Sequence, residues 1–185
     1  LLVIPDKMSQ EKIFNLKAMG AEVVMTRSDV AKGHPDHYQD KAARIARETP
    51  GAFYINQFTN PANPQAHEQT TAPEIWEQMQ GRVDAWISGV GSAGTFTGIA
   101  RFLKKKSVGI LTVAVEPQGS VLEGGEPGPH RVEGIGVSFI PATFDRSVCD
   151  RVMKVMDEPA FVMVKRLAAE VGVFAGSSAG AMLCA

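Results

Sequence analysis

The sequence predicts an α/β fold built on a parallel sheet. Three observations carry that reading. Residues 1–4 and 21–26 are apolar strands joined by a helical stretch, and a β-α-β unit of this kind runs its strands parallel. Residues 84–90 read as a buried strand that passes through a turn of small residues into a helix. Residues 110–115 are a further buried apolar run.

Taken in order, the first strand ends at Pro5. Ser9 is placed as an N-cap, and Ile13, Leu16 and Met19 carry a helix that Gly20 terminates. Residues 28–35 are polar and loop-like. Ala42, Ile45 and Ala46 give residues 38–48 helical spacing, and residues 53–55 (Phe-Tyr-Ile) read as a short strand. Residues 56–65 (NQFTNPANPQ) have no period and are expected to be loop. Their amides either bind a ligand or tie down their own backbone. Ile75, Trp76 and Met79 share one face of a helix over 73–79.

After the strand at 84–90, Phe96, Ile99, Phe102 and Leu103 mark a helix that ends in a basic run at 104–106, as suits a helix C-terminus. Residues 116–132 contain four glycines and three prolines without periodicity. A loop of that length is usually functional or mobile. The glycines of Glu133-Gly134-Ile135-Gly136 permit close approach of backbone to a ligand. Residues 148–156 read as a strand. Asp157 is expected to cap a helix over 158–171, with Pro159 in its first turn and Gly172 at its end. Residues 173–175 read as a strand feeding a second hydroxyl-rich turn, Gly176-Ser177-Ser178-Ala179-Gly180.

Composition narrows the function. Net charge is −1, which leaves no electrostatic footprint for nucleic acid. No apolar run is long enough to span a membrane. Cys149 and Cys184 read as buried thiols of a reducing compartment rather than a disulfide. The chain opens within a strand and closes within a helix, so it reads as a fragment of a longer protein.

Residues 91–95 (Gly91, Ser92, Ala93, Gly94, Thr95) are the chemical centre of this pattern. The N–H groups of a first helical turn lack intrahelical partners, and the helix dipole favours negative charge there. Small side chains let a phosphate reach the backbone. The plain alternative is a tight turn that binds nothing. The turn lacks the Lys-Ser/Thr ending of a P-loop, and no acidic residue sits at a convincing ribose position, which argues against nucleotides and for a small phosphate monoester. The second turn, at 176–180, suggests one ligand held at two points at strand carboxyl ends. No Ser-His-Asp order is defensible, and GSSAG is not read as a nucleophile elbow. His34 and His37 flank Asp36 on a polar loop. His67 and His130 stand apart, and no metal-ligand cluster is expected.

Five stretches then carry a family resemblance: IPDKMSQEK, QFTNPANPQAHEQTTAPEIWEQ, SGVGSAGTFTGIARFLK, PGPHRVEGIGVSFIP and GVFAGSSAGA. In this order they resemble the cysteine synthase / cystathionine β-synthase family of pyridoxal-phosphate enzymes, which have the tryptophan-synthase-β fold type. The resemblance covers nearly the whole chain. It implies a three-layer open parallel sheet with helices on both faces, in two lobes. Residues 1–56 would be part of the smaller N-terminal lobe and 57–185 part of the larger cofactor-binding lobe, with the N-terminal part of the enzyme absent.

The resemblance also implies roles. Gly91, Ser92, Ala93, Gly94 and Thr95 resemble the family's cradle for the 5′-phosphate of pyridoxal phosphate, usually Gly-Thr-Gly-Gly-Thr. Ser178 matches the serine whose neutral hydroxyl meets the pyridine nitrogen. Gln57 matches a glutamine near the substrate carboxylate, and Gly134 lies in the loop that closes on the bound amino acid. The implied chemistry is β-replacement on an amino acid with sulfide or a thiol as acceptor, in a cytoplasmic homodimer. Two departures stand out. Ala93 replaces a glycine and costs about 1–2 kcal/mol if that position needs positive φ. The Schiff-base lysine motif is not among these residues, so no catalytic residue is assigned and this chain alone is expected to be inactive.

PGPHRVEGIG and NPANP favour cysteine synthase, from O-acetylserine and sulfide. DKMSQEK, RETPGA, FDRSV and GSSAG lean toward cystathionine β-synthase, from serine and homocysteine. A non-catalytic cofactor-binding or scaffold homologue is the alternative of another class. A plain nucleotide-binding α/β domain is the most distant reading.

Overall fold

The computed structural model describes residues 1–185. The chain divides into two compact units, Leu1–Asn56 and Gln57–Ala185. The first holds β1 (Leu2–Pro5), α1 (Gln10–Ala18), β2 (Val23–Thr26) and α2 (Tyr38–Glu48). β1 and β2 pair in parallel from Leu2↔Val23 to Pro5↔Thr26. Ser9 caps α1, its hydroxyl accepting from the Lys12 N–H at 3.4 Å. Gly20 follows the helix at φ +83°, a left-handed turn that a side chain would strain.

The second unit carries the larger sheet. β3 (Ala85–Gly89), β4 (Leu111–Pro117) and β5 (Arg151–Val155) lie in that order, all parallel. α5 (Gly94–Lys106) crosses from β3 to β4. α6 (Asp157–Arg166) and α7 (Ser177–Cys184) follow β5. Alternation along the strands assigns the layers. Ala114 of β4 and Val152 of β5 pack with Phe96 and Ala100 of α5. Val113, Val115 and Val155 turn the other way, onto Ala160 of α6 and Ala181 of α7. β4 is therefore covered on both faces, which explains its unbroken apolar run. Helices flank the sheet on both sides, as expected of an α/β fold.

Four expectations need correction. Residues 62–78 are continuous helix, not a loop followed by a short helix. α3 (Ala62–Ala66) runs through a π-helical turn, His67–Thr71, into α4 (Ala72–Gln78). Pro61 and Pro64 do not prevent this, because a proline near a helix start removes only N–H groups that had no helical acceptor. Residues 53–55 and 173–175 form no strand. Local β-propensity needs a neighbouring strand to take its ladder bonds, and neither sheet extends to these runs. Phe53 and Phe174 are instead 80% and 92% exposed. The turn at 176–180 therefore does not follow a strand, although α7 does begin there. Asp157 opens α6 without capping it. Its Oδ2 accepts from the Arg131 N–H at 2.9 Å.

The long segment after β4 is pinned rather than loose. Glu116 is wholly buried, and its carboxylate accepts from the N–H groups of Leu122 (2.7 Å) and Glu123 (3.3 Å). Lys154 Nζ stands 3.7 Å from the same carboxylate. Ser120 Oγ accepts from the Val137 N–H at 2.9 Å. A buried carboxylate is tolerated because it is paired and hydrogen-bonded. These bonds deliver residues 134–137 to the end of β3, where the Gly136 N–H donates to Val90 O at 2.8 Å.

Candidate cofactor and substrate site

The turn after β3 is built for close approach. Ala93 precedes α5 with φ 66° and ψ −5°, in the left-handed region. The first helical bond of α5 runs from the Thr97 N–H to Ala93 O at 2.9 Å. The N–H groups of Gly94, Thr95 and Phe96 thus have no acceptor within the helix. A Cβ on Gly91 would stand 3.2 Å from Gly134 O, and one on Gly94 would overlap the Asn63 carboxamide. Only glycine fits at position 94 without displacing that side chain.

Left-handed Ala93 gives a measurable consequence. The strain is about 1–2 kcal/mol. Glycine at 93 would remove it but would lose roughly 0.4–1 kcal/mol to the freer unfolded chain. The Ala93 methyl is also buried in the core, which contributes about 0.8 kcal/mol. These effects nearly cancel, so Ala93→Gly should leave Tm within about 2 °C of the parent. Paired thermal melts check this, and a midpoint lowered by about 4 °C or more would mean that the turn holds Ala93 without strain.

The other expected site residues gather around the turn. The Asn63 Nδ2 amide donates to Gln57 O at 2.8 Å and to Ser92 Oγ at 3.0 Å. Gly134 lies between the turn and α7. A Cβ there would be 3.9 Å from Ser178 Oγ, while its carbonyl faces Gly91. Ser177 Oγ accepts from the Glu133 N–H at 3.0 Å, which ties the Gly134 loop to the start of α7. Gly91, Ser92, Ala93, Gly94, Thr95, the Gln57 main chain, Gly134 and Ser178 thus belong to one connected region of the second unit.

Several residues here had no role in the sequence reading. His67 Nε2 lies 3.2 Å from Thr95 Oγ1, and its Nδ1 lies 3.0 Å from Thr71 Oγ1. It opens the π-helical turn, a distortion frequent at functional sites. The buried Thr143 hydroxyl donates to Ser92 O. The amides of residues 56–65 were legible as possible ligands of their own backbone, which is what Asn63 does. Nothing local marked Thr143, because its partner is far away in sequence.

The segment carrying Thr143 is fastened to α5. The Asp145 N–H donates to Thr97 Oγ1 at 3.2 Å, and its carboxylate accepts from Arg101 Nε at 2.8 Å. The Ser147 hydroxyl, and next the Arg101 guanidinium, hold the Asp145 carboxyl below its ordinary range. Such a depressed group stabilises fully above the unfolded carboxylate pKa and loses that contribution only as pH falls through the lower folded value. The fastening therefore persists across neutral pH.

Three polar groups in this region are left over. Ser92 Oγ accepts from Asn63 but donates to no group of the chain. The half-buried Ser178 hydroxyl has no hydrogen-bond partner in the chain, and neither has the exposed Gln57 carboxamide. The helix-start N–H groups with the Ser92 hydroxyl offer donors to a phosphate and the Ser178 hydroxyl offers one to a ring acceptor, while the Gln57 carboxamide stays open to a further acceptor. This donor set fits pyridoxal phosphate. No group of three His, Cys, Asp or Glu side chains is placed to hold a metal. An open groove of about 900 Å³ between Gly119 and Pro159 contains none of the eight residues. No helix is long and apolar enough to cross a membrane.

Comparison with known proteins agrees with this chemistry. A cysteine synthase of Staphylococcus aureus (strain N315) is 44% identical over 188 residues, covering all of this chain and 59% of that protein. Cysteine synthase A of Escherichia coli (strain K12) is 44% identical over 194 residues, again covering 59% of the relative. The chain thus spans well under two thirds of the length of these relatives. The crystal structure of an O-acetylserine-dependent cystathionine β-synthase from Helicobacter pylori superposes with a TM-score of 0.92 at 40% identity. The match covers 98% of this chain and 58% of that one. A cysteine synthase from Entamoeba histolytica gives 0.86 at 39% identity, over 97% of this chain and 52% of the other. The family model described as "Pyridoxal-phosphate dependent enzyme" matches residues 1–185, and the chain belongs to that family.

Proposed function

We propose that the full-length protein carrying this chain is a cysteine synthase, which replaces the β-substituent of O-acetylserine with sulfide. The observation that carries the reading is the set of unpartnered donors around Gly134: the helix-start N–H groups on one side and the Ser178 hydroxyl on the other. The N–H groups at 91–95 and the Ser92 hydroxyl hold the cofactor phosphate. The neutral Ser178 hydroxyl meets the pyridine nitrogen and, unlike a carboxylate, does not enforce its protonation. The Gln57 amide donates to the substrate carboxylate, and the Gly134 loop closes over it. Pyridoxal phosphate supplies the electron sink when bound, while this chain orients the substrate and excludes water. Catalytic lysine chemistry is assigned to no residue of this chain. A homodimeric, cytoplasmic enzyme completes the reading and rests on the resemblance alone.

A second reading has its own support. The Helicobacter structure, whose enzyme is an O-acetylserine-dependent cystathionine β-synthase, is as good a template as any of the cysteine synthases compared. It favours a thiol such as homocysteine as acceptor. Assaying the purified full-length protein with O-acetylserine, and separately with serine, against sulfide and homocysteine decides between the two. A protein with no visible absorption band after incubation with pyridoxal phosphate would overturn both.

Ser178→Ala tests the ring contact. The phosphate is held elsewhere, so cofactor affinity should stay within about threefold, while loss of one neutral hydrogen bond worth about 0.5–1.5 kcal/mol slows expulsion of the β-substituent roughly two- to tenfold. Stopped-flow absorbance gives the rate. Equal rates in mutant and parent would remove Ser178 from the ring.

A further inference from the structure

Ser92 is gripped twice, and the two grips reach the adjacent residues Gln57 and Phe58. Asn63 Nδ2 donates to Ser92 Oγ at 3.0 Å and to Gln57 O at 2.8 Å. The Thr143 hydroxyl donates to Ser92 O, while the Thr143 N–H donates to Phe58 O at 3.3 Å. Ser92, Asn63, Gln57, Phe58 and Thr143 thus close a ring of hydrogen bonds. Gln57 and Phe58 are adjacent in the chain, so the ring has a rigid peptide on one side and the phosphate turn on the other.

The ring is confined. Thr143 is 6% exposed, and the adjoining Asp145 is fastened to α5 through Thr97 and Arg101. Asn63 cannot swing toward α5, because its carboxamide already fills the space that a side chain on Gly94 would take. The bonds to residues 57 and 58 both use main-chain oxygens. They fix where the Gln57 side chain starts without occupying its amide.

We infer that Asn63 and Thr143 are positioning residues that set the phosphate turn and Gln57 at a fixed separation, so that the amino-acid site is aligned through the cofactor's phosphate site. The inference rests on the reading of those two places given above. Neither residue touches cofactor or substrate. Each acts through Ser92 and Gln57, and a disturbance of the ring therefore reaches both binding steps. Coupling of this kind is a shared free energy between two sites and must show at both.

Thr143→Val deletes the hydroxyl and keeps the volume, and Thr143→Ser restores the hydroxyl. In the full-length protein, Thr143→Val should raise the pyridoxal-phosphate Kd, read by equilibrium dialysis of the apoprotein, about three- to tenfold. It should raise the KM for O-acetylserine by about the same factor and leave the KM for sulfide within about twofold. Thr143→Ser should return both constants to within about twofold of the parent. Because Thr143 acts through Gln57, Gln57→Ala combined with Thr143→Val should raise the KM for O-acetylserine by no more than about twofold over Gln57→Ala alone.

Movement of only one constant, or full multiplication of the two effects, would overturn the inference. So would a lower Tm with both constants unchanged, which is what a purely structural threonine gives. If Thr143→Val fails to fold, Asn63→Ala is measured in its place against the same expectations. Parent protein that takes up no pyridoxal phosphate overturns the proposed function. Parent that binds and turns over, with a Thr143→Val variant matching it, overturns this inference alone.

Discussion

Gln57→Ala in the full-length protein should raise the Michaelis constant for the amino-acid substrate about tenfold or more, since a hydrogen bond to a carboxylate is worth roughly 1.5–3 kcal/mol. The Michaelis constant for sulfide should change little, because sulfide has no carboxylate. The melting temperature should also hold. The Gln57 side chain makes no hydrogen bond within the chain, and its carbonyl is secured by Asn63. Truncating the side chain leaves that main-chain bond in place. Steady-state kinetics with each substrate, together with a melt, separate this outcome from the alternative that Gln57 only braces its loop. A lower Tm with unchanged substrate constants would establish the alternative.

Gly98→Ala should destabilise the protein by about 1–3 kcal/mol, although alanine is the better helix former by about 1 kcal/mol. Gly98 is buried within α5 where the 62–78 helix crosses it. A Cβ there would collide with Pro64 O, and would stand 2.8 Å from His67 Cβ and 2.9 Å from the Glu68 nitrogen. Two of these obstacles are backbone atoms that cannot rotate away, so the helices must separate. Separation also stretches the Asn63–Ser92 and His67–Thr95 contacts, so cofactor uptake should weaken along with the fold. Exposed Gly109 has only the Ser107 hydroxyl within 4 Å of its would-be Cβ. Gly109→Ala should stay within about 0.5 kcal/mol. Thermal denaturation of the two variants checks the contrast, and a Gly98→Ala protein as stable as the parent would show that the helices have slack.

Much of the fold was legible because its signals are local. The parallel β1–β2 pair follows from an apolar run, a capped helix and a second run, joined at a length that only a crossover uses. β3, α5 and β4 were legible for the same reason, and the lysines at 104–106 do close α5. Residues 53–55 and 173–175 carry equally good strand composition and form none, because a strand exists only through its neighbour. The helix over 62–78 was obscured by prolines whose cost vanishes at a helix start.

For the site, sequence by itself determined the types of chemistry: small residues and hydroxyls at 91–95 and 176–180, amides at 56–65, and glycines at 134 and 136. Those types limit what each stretch can offer a ligand, since donor capacity belongs to the side chain and the backbone wherever they lie. Tertiary structure decided which groups are already used. It gave Asn63 to Ser92 and Gln57 O, and Thr143 to Ser92 O, and it left Ser178 and the Gln57 amide unpartnered. It also placed Ala93 in the left-handed region, where the sequence could only state the cost if that conformation were required. Thr143 is 51 residues from Ser92. A bond across that distance depends on the path of the whole intervening chain, so no local pattern encodes it. Which donors remain for a ligand is a difference between capacity and use, and only the folded chain fixes the second term.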